Sequence, residues 1–349
     1  MDEVAIVQAA DKLGFKYTWA TEHHFLTEYS HLSANEVFLG YLAAATTNIH
    51  LGSGIFNITP PVNHPARVAE RVALLDHLSE GRFEFGMGRG SSTTEQKGFG
   101  IAEPDLTRDM FDEVVGEFVK MWSADEYPGH DGQYFSMPAR NVLPKPYAEP
   151  HPPMWVAAGN PATFQKAARM GLGVLCFTIG GVESIKPLVE VYKKEIANAE
   201  PVGAYVNNNL MVCISAYVAE DGQKARESLV SSRPNYLVSN VFRYHDTFPH
   251  PPVIPNWPDL IPDSTLDDIP MLIEGGGVVG DPDEALEQCR RWEETGVDQL
   301  VFGIGPAPIE ETVAMIRLIG EHVIPKIDTD PVHSTDRYRA AARGANVAG

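Results

Sequence analysis

Residues 49–90 read IHLGSGIFNITPPVNHPARVAERVALLDHLSEGRFEFGMGRG, and this stretch decides the fold class. Ile49–Asn57 is an apolar run of strand length. His64–Ser79 carries apolar residues at helical spacing, with Asn63 as its expected N-cap and Pro65 in a first turn that does not need its N–H. Gly81 ends this helix, and Arg82–Gly88 is the next strand. A strand, a crossover helix and a second strand form the unit of a parallel sheet with right-handed connections.

The same alternation continues on both sides. Upstream, a helix over 2–13 stops at Gly14, a short strand follows at Tyr17–Thr21, and residues 34–47 form a helix. Ser33 is its expected N-cap, with Glu36 completing a capping box. Downstream, a helix over 107–122 precedes a Pro-, Gly- and Tyr-rich excursion at 123–153 with a hairpin. Strands are then expected at 154–158, 174–178, 210–218 and 299–304, and helices at 161–170, 183–197, 221–231, 282–295 and 308–320. Residues 245–280 are dense in Pro and Gly, the composition of a lid or binding loop. Seven strands result, whereas a closed (β/α)8 TIM barrel needs eight. The expectation is a barrel domain over 1–325 whose first strand lies upstream of Met1, followed by a peripheral tail over 326–349. An open doubly wound sheet is the alternative.

The 349 residues are 44% hydrophobic and 21% charged, the composition of a globular protein. A net charge of -20 disfavours nucleic acid and anionic membranes as partners. Cys176, Cys213 and Cys289 lie far apart, without metal-binding or disulfide spacing. No apolar run approaches the roughly 20 residues of a membrane span, and no signal peptide is evident, so a cytoplasmic protein is expected.

Three strand ends carry the candidate chemistry. Thr21-Glu22-His23-His24-Phe25 offers two histidines and a carboxylate, able to supply a proton donor, a general base or metal ligands. Adjacent side chains on an extended segment point apart, so the bland reading is one buried and one surface histidine. Gly86-Met87-Gly88-Arg89-Gly90-Ser91 combines close backbone approach with a guanidinium that suits phosphate, or is simply a glycine turn with a surface Arg. Ala158-Gly159-Asn160-Pro161-Ala162-Thr163 opens a helix whose N-terminus favours an anion. Asn57 is read as a polar group facing the mouth, and Asp76 and Arg82 as structural. No metal site is expected.

Four segments together resemble the bacterial luciferase-like flavin monooxygenase family: WATEHHF at 19–25, residues 51–90, NVLPKPYAEPHPPMWVAAGNPAT at 141–163, and VGDPDEALEQCRRWEETGVDQLVF at 279–302. The resemblance implies a (β/α)8 barrel with FMN at the strands' C-terminal ends. It implies cofactor contacts at Phe56, Asn57, Met87 and Gly88, with the phosphate near Arg89 and the 158–163 turn that holds Ala158, Gly159, Asn160 and Thr163. Phe177 and Thr178 would face the flavin, and a non-proline cis peptide at about Phe56–Asn57 would stand behind it. His23 matches the catalytic histidine and His24 its neighbour. The implied activity is a two-component monooxygenase in which a separate reductase supplies reduced FMN and O2 forms a C4a-peroxyflavin. The substrate would be a small apolar molecule such as a long-chain aldehyde, cyclic ketone or terpene. Alternatives of the same fold are a coenzyme F420-dependent hydride-transfer enzyme and an inactive flavin-binding relative. A homodimer through helices 34–47 and 64–79 is also implied.

Overall fold

The computed structural model of the chain describes all residues except 178–180, 233–234, 248–249, 253, 304–306 and 348–349. Helices and strands alternate: α1 (Asp2–Lys12), β1 (Tyr17–Ala20), α2 (Asn35–Ala45), β2 (His50–Ser53), β3 (Phe56–Asn57), α3 (Pro65–Leu78) and β4 (Phe83–Gly88). Then come α4 (Thr93–Gly98), α5 (Leu106–Val115), α6 (Glu117–Ser123), the antiparallel hairpin β5 (Tyr127–Asp131) and β6 (Ser136–Arg140), β7 (Met154–Ala157), α7 (Pro161–Arg169) and β8 (Gly173–Phe177). The last part holds α8 (Gly181–Ile196), β9 (Leu210–Val218), α9 (Gly222–Ser232), α10 (Asn235–Tyr244), α11 (Ile269–Glu274), β10 (Val278–Gly280) and α12 (Pro282–Glu293). It closes with β11 (Gln299–Gly303), α13 (Ile309–Leu318), α14 (Ile324–Ile327) and α15 (Ser334–Val347).

The principal parallel order is β1-β2-β4-β7-β8-β9-β11; β3 pairs with β4, and β10 with the C-terminal end of β9. Laid flat, six strand spacings would hold the edges roughly 29 Å apart. Instead Trp19 of β1 and Val301 of β11 pack on one interior cluster with Trp155, Leu175 and Met211. The sheet is therefore curled as in a (β/α)8 barrel, and the open doubly wound alternative is excluded. Among the described residues β1 and β11 do not hydrogen-bond each other. Small residues let the interior fill: a Cβ at Gly52 would lie 2.2 Å from the Trp19 ring, and one at Gly86 would lie 1.9 Å from the Ser53 carbonyl oxygen.

Several local expectations are corrected. Ser33 does not cap α2, whose N-cap is Ala34 without a side-chain bond; Glu36 instead pairs with Arg71 at 2.7 Å. His64 caps α3 through Nδ1, while Asn63 bonds the Asn57 carbonyl and Arg71. The run Ile49–Asn57 is broken at Gly54–Ile55, and the cis peptide lies there rather than at Phe56–Asn57. The helix expected over 107–122 divides at Gly116. Helix α10 and the three-residue β10 were not foreseen, and the 245–280 segment carries α11.

The tail is not peripheral. It packs across the N-terminal end of the sheet, where Arg339, only 3% exposed, donates from Nη2 to both Asp76 oxygens at 3.0 and 3.2 Å and to the Ala148 carbonyl at 2.9 Å. Asp76 and Arg82 are structural, as expected: Arg82 donates to the carbonyls of Ala43, Thr46 and Ile49 that end α2 and begin the next strand. Removing one member of a buried ion pair strands the other charge, so Arg339→Ala should lower stability by about 3–5 kcal/mol. Urea unfolding checks this, and an Asp76→Leu/Arg339→Met double variant should recover most of the loss.

His151 is the second buried anchor of this end. Its Nδ1 donates to the Pro152 carbonyl and its Nε2 accepts from the Ala204 N–H, both at 2.8 Å. Burial pushes its pKa down to about 4, so the folded chain holds it neutral. An unfolded chain takes up this proton first. Stability therefore declines as pH falls from about 6.5 towards about 4, by roughly 3 kcal/mol from this group. His151→Gln should flatten that part of the pH profile; an unchanged slope would contradict the assignment.

Candidate active site

The C-terminal ends of β1, β4, β7 and β8 bring the predicted strand-end motifs to one mouth. Beyond β1, the two histidines point apart. The His23 backbone N–H donates to the Leu32 carbonyl at 3.1 Å, and its Nδ1 lies 3.3 Å from a Glu95 oxygen. The same carboxylate accepts the His24 backbone N–H at 2.7 Å. The His24 ring turns to Glu22, at 3.2 Å, and edge-on to Phe99. Glu95 thus fixes the loop and orients only the His23 ring, with Nδ1–H directed at the carboxylate.

Around His23 stands an aromatic wall. Its ring meets His245 edge-on at 5.8 Å and Tyr29 at 6.3 Å, and Phe177, at the end of β8, lies 5.8 Å from His245. Burial and the neighbouring His23 push His245 down to about 4, so it is neutral near pH 7. Its Nδ1 and the Ser91 hydroxyl are 2.8 Å apart. The adjoining backbone is clasped to the same loop: Thr247 bonds the Ser91 carbonyl through its hydroxyl at 2.8 Å, and Asp246 accepts from Thr93. The Tyr29 hydroxyl is buried without a hydrogen-bond partner among the described residues.

The two phosphate-type motifs are neighbours. Met87 lies opposite Val156 in the β4–β7 register, which carries Arg89 and Ala158 side by side past the strand ends. Arg89 is half-buried; its Nη1 donates to the Thr107 hydroxyl at 2.9 Å, and among the described residues no carboxylate pairs with it. Burial first, and then Arg108, lower its pKa. In the 158–163 turn, Thr163 Oγ1 accepts from the Gly159 and Asn160 N–H groups, and Asn160 Oδ1 accepts from the Thr163 N–H. These side chains cap α7 and occupy the N–H groups of Gly159, Asn160 and Thr163, and the Ala158 N–H donates to the Leu175 carbonyl, so the turn offers an anion the positive end of the helix rather than a free hydroxyl or a row of free amides.

Not every expected contact reaches the mouth. On β4, Phe83, Phe85 and Met87 face the helices, and the Met87 side chain is fully buried in that outer core. Phe56 is likewise 1% exposed, packed on Phe83 and Phe85 beneath Arg71. Both side chains are packed away from the mouth, which leaves only the backbone of Phe56 and Met87 for the cofactor contacts expected there. Gly88 has the opposite parity and faces Ile55 and Ala157. Asn57 stands at the rim, its Oδ1 accepting from the Thr59 N–H and hydroxyl and its Nδ2 2.9 Å from where a Gly90 Cβ would sit. Thr178 falls outside the described residues. Sequence reasoning gave no role to Glu95 or Tyr29, named Ser91 only as the end of the glycine turn and covered His245 only within the 245–280 segment. Ser91 directly follows Gly90, whereas Glu95 lies five residues beyond it with no motif to mark it.

Comparison with known proteins bears on the family and the fold. The luciferase-like monooxygenase family model matches residues 1–299. The alkanal monooxygenase alpha chain of Photorhabdus luminescens is 30% identical over 226 residues, covering 64% of this chain and 60% of that one. The chain thus spans somewhat over half the length of such curated relatives. The oxygenase component of a flavin-dependent trigonelline monooxygenase from Acinetobacter baylyi is 23% identical over 325 residues, covering 91% and 87%. The crystal structure of the monooxygenase RslO1 from Streptomyces bottropensis superposes with a TM-score of 0.76 at 26% identity, covering 93% and 92%. With the family model spanning most of its length, the chain belongs to the luciferase-like monooxygenase family.

Proposed function

We propose that the chain is the oxygenase component of a two-component flavin-dependent monooxygenase, taking reduced FMN from a separate reductase and using O2 to oxidise a small apolar organic molecule. The observation that carries this reading is one mouth holding both a half-buried arginine without a carboxylate partner and a carboxylate-oriented histidine against an aromatic wall. The residues fit FMN: Arg89 and the positive N-terminal end of α7 would hold its phosphate, while Gly88, Asn57 and Phe177 would border the rest. The description of the trigonelline relative as an oxygenase component supports the separate reductase.

Reduced FMN, when bound, supplies the electrons that activate O2. Glu95 takes the His23 Nδ1–H, which sets the tautomer and leaves Nε2 to accept or deliver a proton at the ligand. Neutral His245 cannot compete as an acid near pH 7. Phe177, Tyr29 and the clasped 245–247 segment exclude water, and the remainder of 245–280 acts as the lid. The exposed Phe177 ring at this wall supports an apolar substrate. Val37 and Tyr41 on α2, with Leu74 and Leu78 on α3, expose a contiguous apolar strip that supports the expected homodimer.

His23→Ala should lower product formed per O2 consumed by about 10- to 100-fold while changing FMN affinity little, because the histidine handles a proton rather than the phosphate. Parallel oxygen-electrode and product assays check this; undiminished coupling would remove His23 from the mechanism. Arg89→Ala should weaken FMN by about tenfold or more and leave riboflavin binding nearly unchanged. Anaerobic fluorescence titration separates the two ligands, and equal losses would take Arg89 off the phosphate. F420 serves as control: a chain that binds F420 alone is a hydride-transfer enzyme.

A further inference from the structure

At the opposite end of the strands from the mouth, one histidine that the monooxygenase reading does not use stands between two carboxylates. His50 opens β2, and its Nδ1 lies 2.7 Å from Oε1 of Glu84 on β4. Its Nε2 lies 3.6 Å from Oδ2 of Asp336, which α15 of the tail brings back to the sheet. Glu84 also accepts from the Trp155 Nε1–H at 2.7 Å and from the Thr335 hydroxyl at 2.6 Å. A carboxyl group that accepts in this way presents no proton of its own, so His50 Nδ1 carries one.

His333, just ahead of α15, stacks on His50 with the ring centroids 3.8 Å apart and 10° between the planes. Two imidazolium rings in that arrangement repel, so the stack holds a single charge. The surroundings put that charge on His50. Burial works against it, but Asp336 and Glu84 together outweigh burial and raise the His50 pKa above the ordinary 6.5. His333 Nε2 donates to the Lys16 carbonyl at 3.1 Å; burial, and then the charge on His50, push its pKa down to about 4. The other groups packed around the pair keep their charge near neutral pH. Tyr17, edge-on to both rings, and Tyr205 are phenols whose pKa burial pushes up. Arg339 is committed to Asp76, and the Lys16 ammonium to Asp328 at 2.6 Å.

We propose that a single proton on His50 fastens the start of α15 to the base of the barrel, making the tail a pH-sensitive strap. With the proton, one imidazolium bridges Glu84 and Asp336. Without it, His50 Nε2 turns a lone pair towards Asp336, and two carboxylates flank an uncharged ring. Release of the strap withdraws the Thr335 hydroxyl from Glu84, the residue that holds the Trp155 indole N–H. The proton at the base is thereby coupled to the interior wall on which Trp19 packs. Because the folded pKa lies above the unfolded one, this contribution is complete below about pH 6.5 and is lost as pH rises through the folded value. His333 sets the opposite limit, in acid, where a second imidazolium forms.

Hydrogen exchange of peptides spanning residues 334–344, corrected for the pH dependence of the chemical rate, reads docking of the tail in the full chain. From pH 7 to pH 10 the corrected rate should rise at least about tenfold, while peptides from α7 and α8 hold theirs. His50→Gln can still donate to Glu84 but carries no charge; at pH 7 it should exchange as the parent does at pH 10, with no alkaline rise. His333→Gln should keep the rise, which places the proton on His50. Asp336→Asn changes a partly exposed side chain and keeps the test open if His50→Gln folds poorly; it should shrink the rise. Histidine-selective NMR, with the His50 ring assigned by its response to Asp336→Asn, should show that ring titrating above 6.5. A corrected rate that stays flat, a rise shared by α7 and α8, a rise lost in His333→Gln or undiminished in His50→Gln or Asp336→Asn, or a His50 ring titrating at or below 6.5 would each overturn the proposal.

Discussion

Glu84 sits at the base of the barrel with no exposed surface, and its two oxygens accept from His50 of β2, Trp155 of β7 and Thr335 of the tail. A carboxylate so placed is tolerable only while all of these donors are present, because desolvating it costs several kcal/mol. The requirement couples distant parts of the chain. Three adjacent strands must hold register for the donors to meet, and the tail must fold back to deliver its hydroxyl. Trp155, once pinned through its indole N–H, becomes the wall on which Trp19 packs edge-on at 5.2 Å. The interior of the barrel is thus organised from its polar base upward, and the mouth inherits its geometry from that order.

At the mouth the same device appears on a smaller scale. Glu95 receives a backbone N–H from His24 and faces the His23 ring, so one carboxylate shapes a loop and aims a side chain together. Catalytic groups on loops need such support, since a few tenths of an ångström of play degrades proton transfer. Arg89 differs in kind: a hydroxyl positions it, not a carboxylate, and its charge stays available to a ligand.

The architecture was legible because each helix–strand unit carries its own periodicity, most clearly from His64 to Gly88. What escaped the sequence was local or parity-dependent. A strand of three residues such as β10 has too few alternations to register, and helix α10 is set by tertiary contacts around Tyr244 and Ser239. Phe56 and Met87 were assigned to the flavin by their place in a motif, whereas pleating turns them to the helices and leaves Gly88 inward. The histidine of the site was readable, but its partners were not. Glu95 and His245 are 72 and 222 positions from His23, and no spacing rule connects residues that only the curled sheet brings together.

The clasp between Ser91, Thr93 and residues 245–247 fastens three successive residues after α10 to the loop that follows β4. His245 therefore takes its place beside His23 from a backbone anchored on both sides of its ring, and the two imidazoles of the mouth are mounted on one continuous frame. A ligand arriving at the strand ends meets a floor that is assembled before it comes.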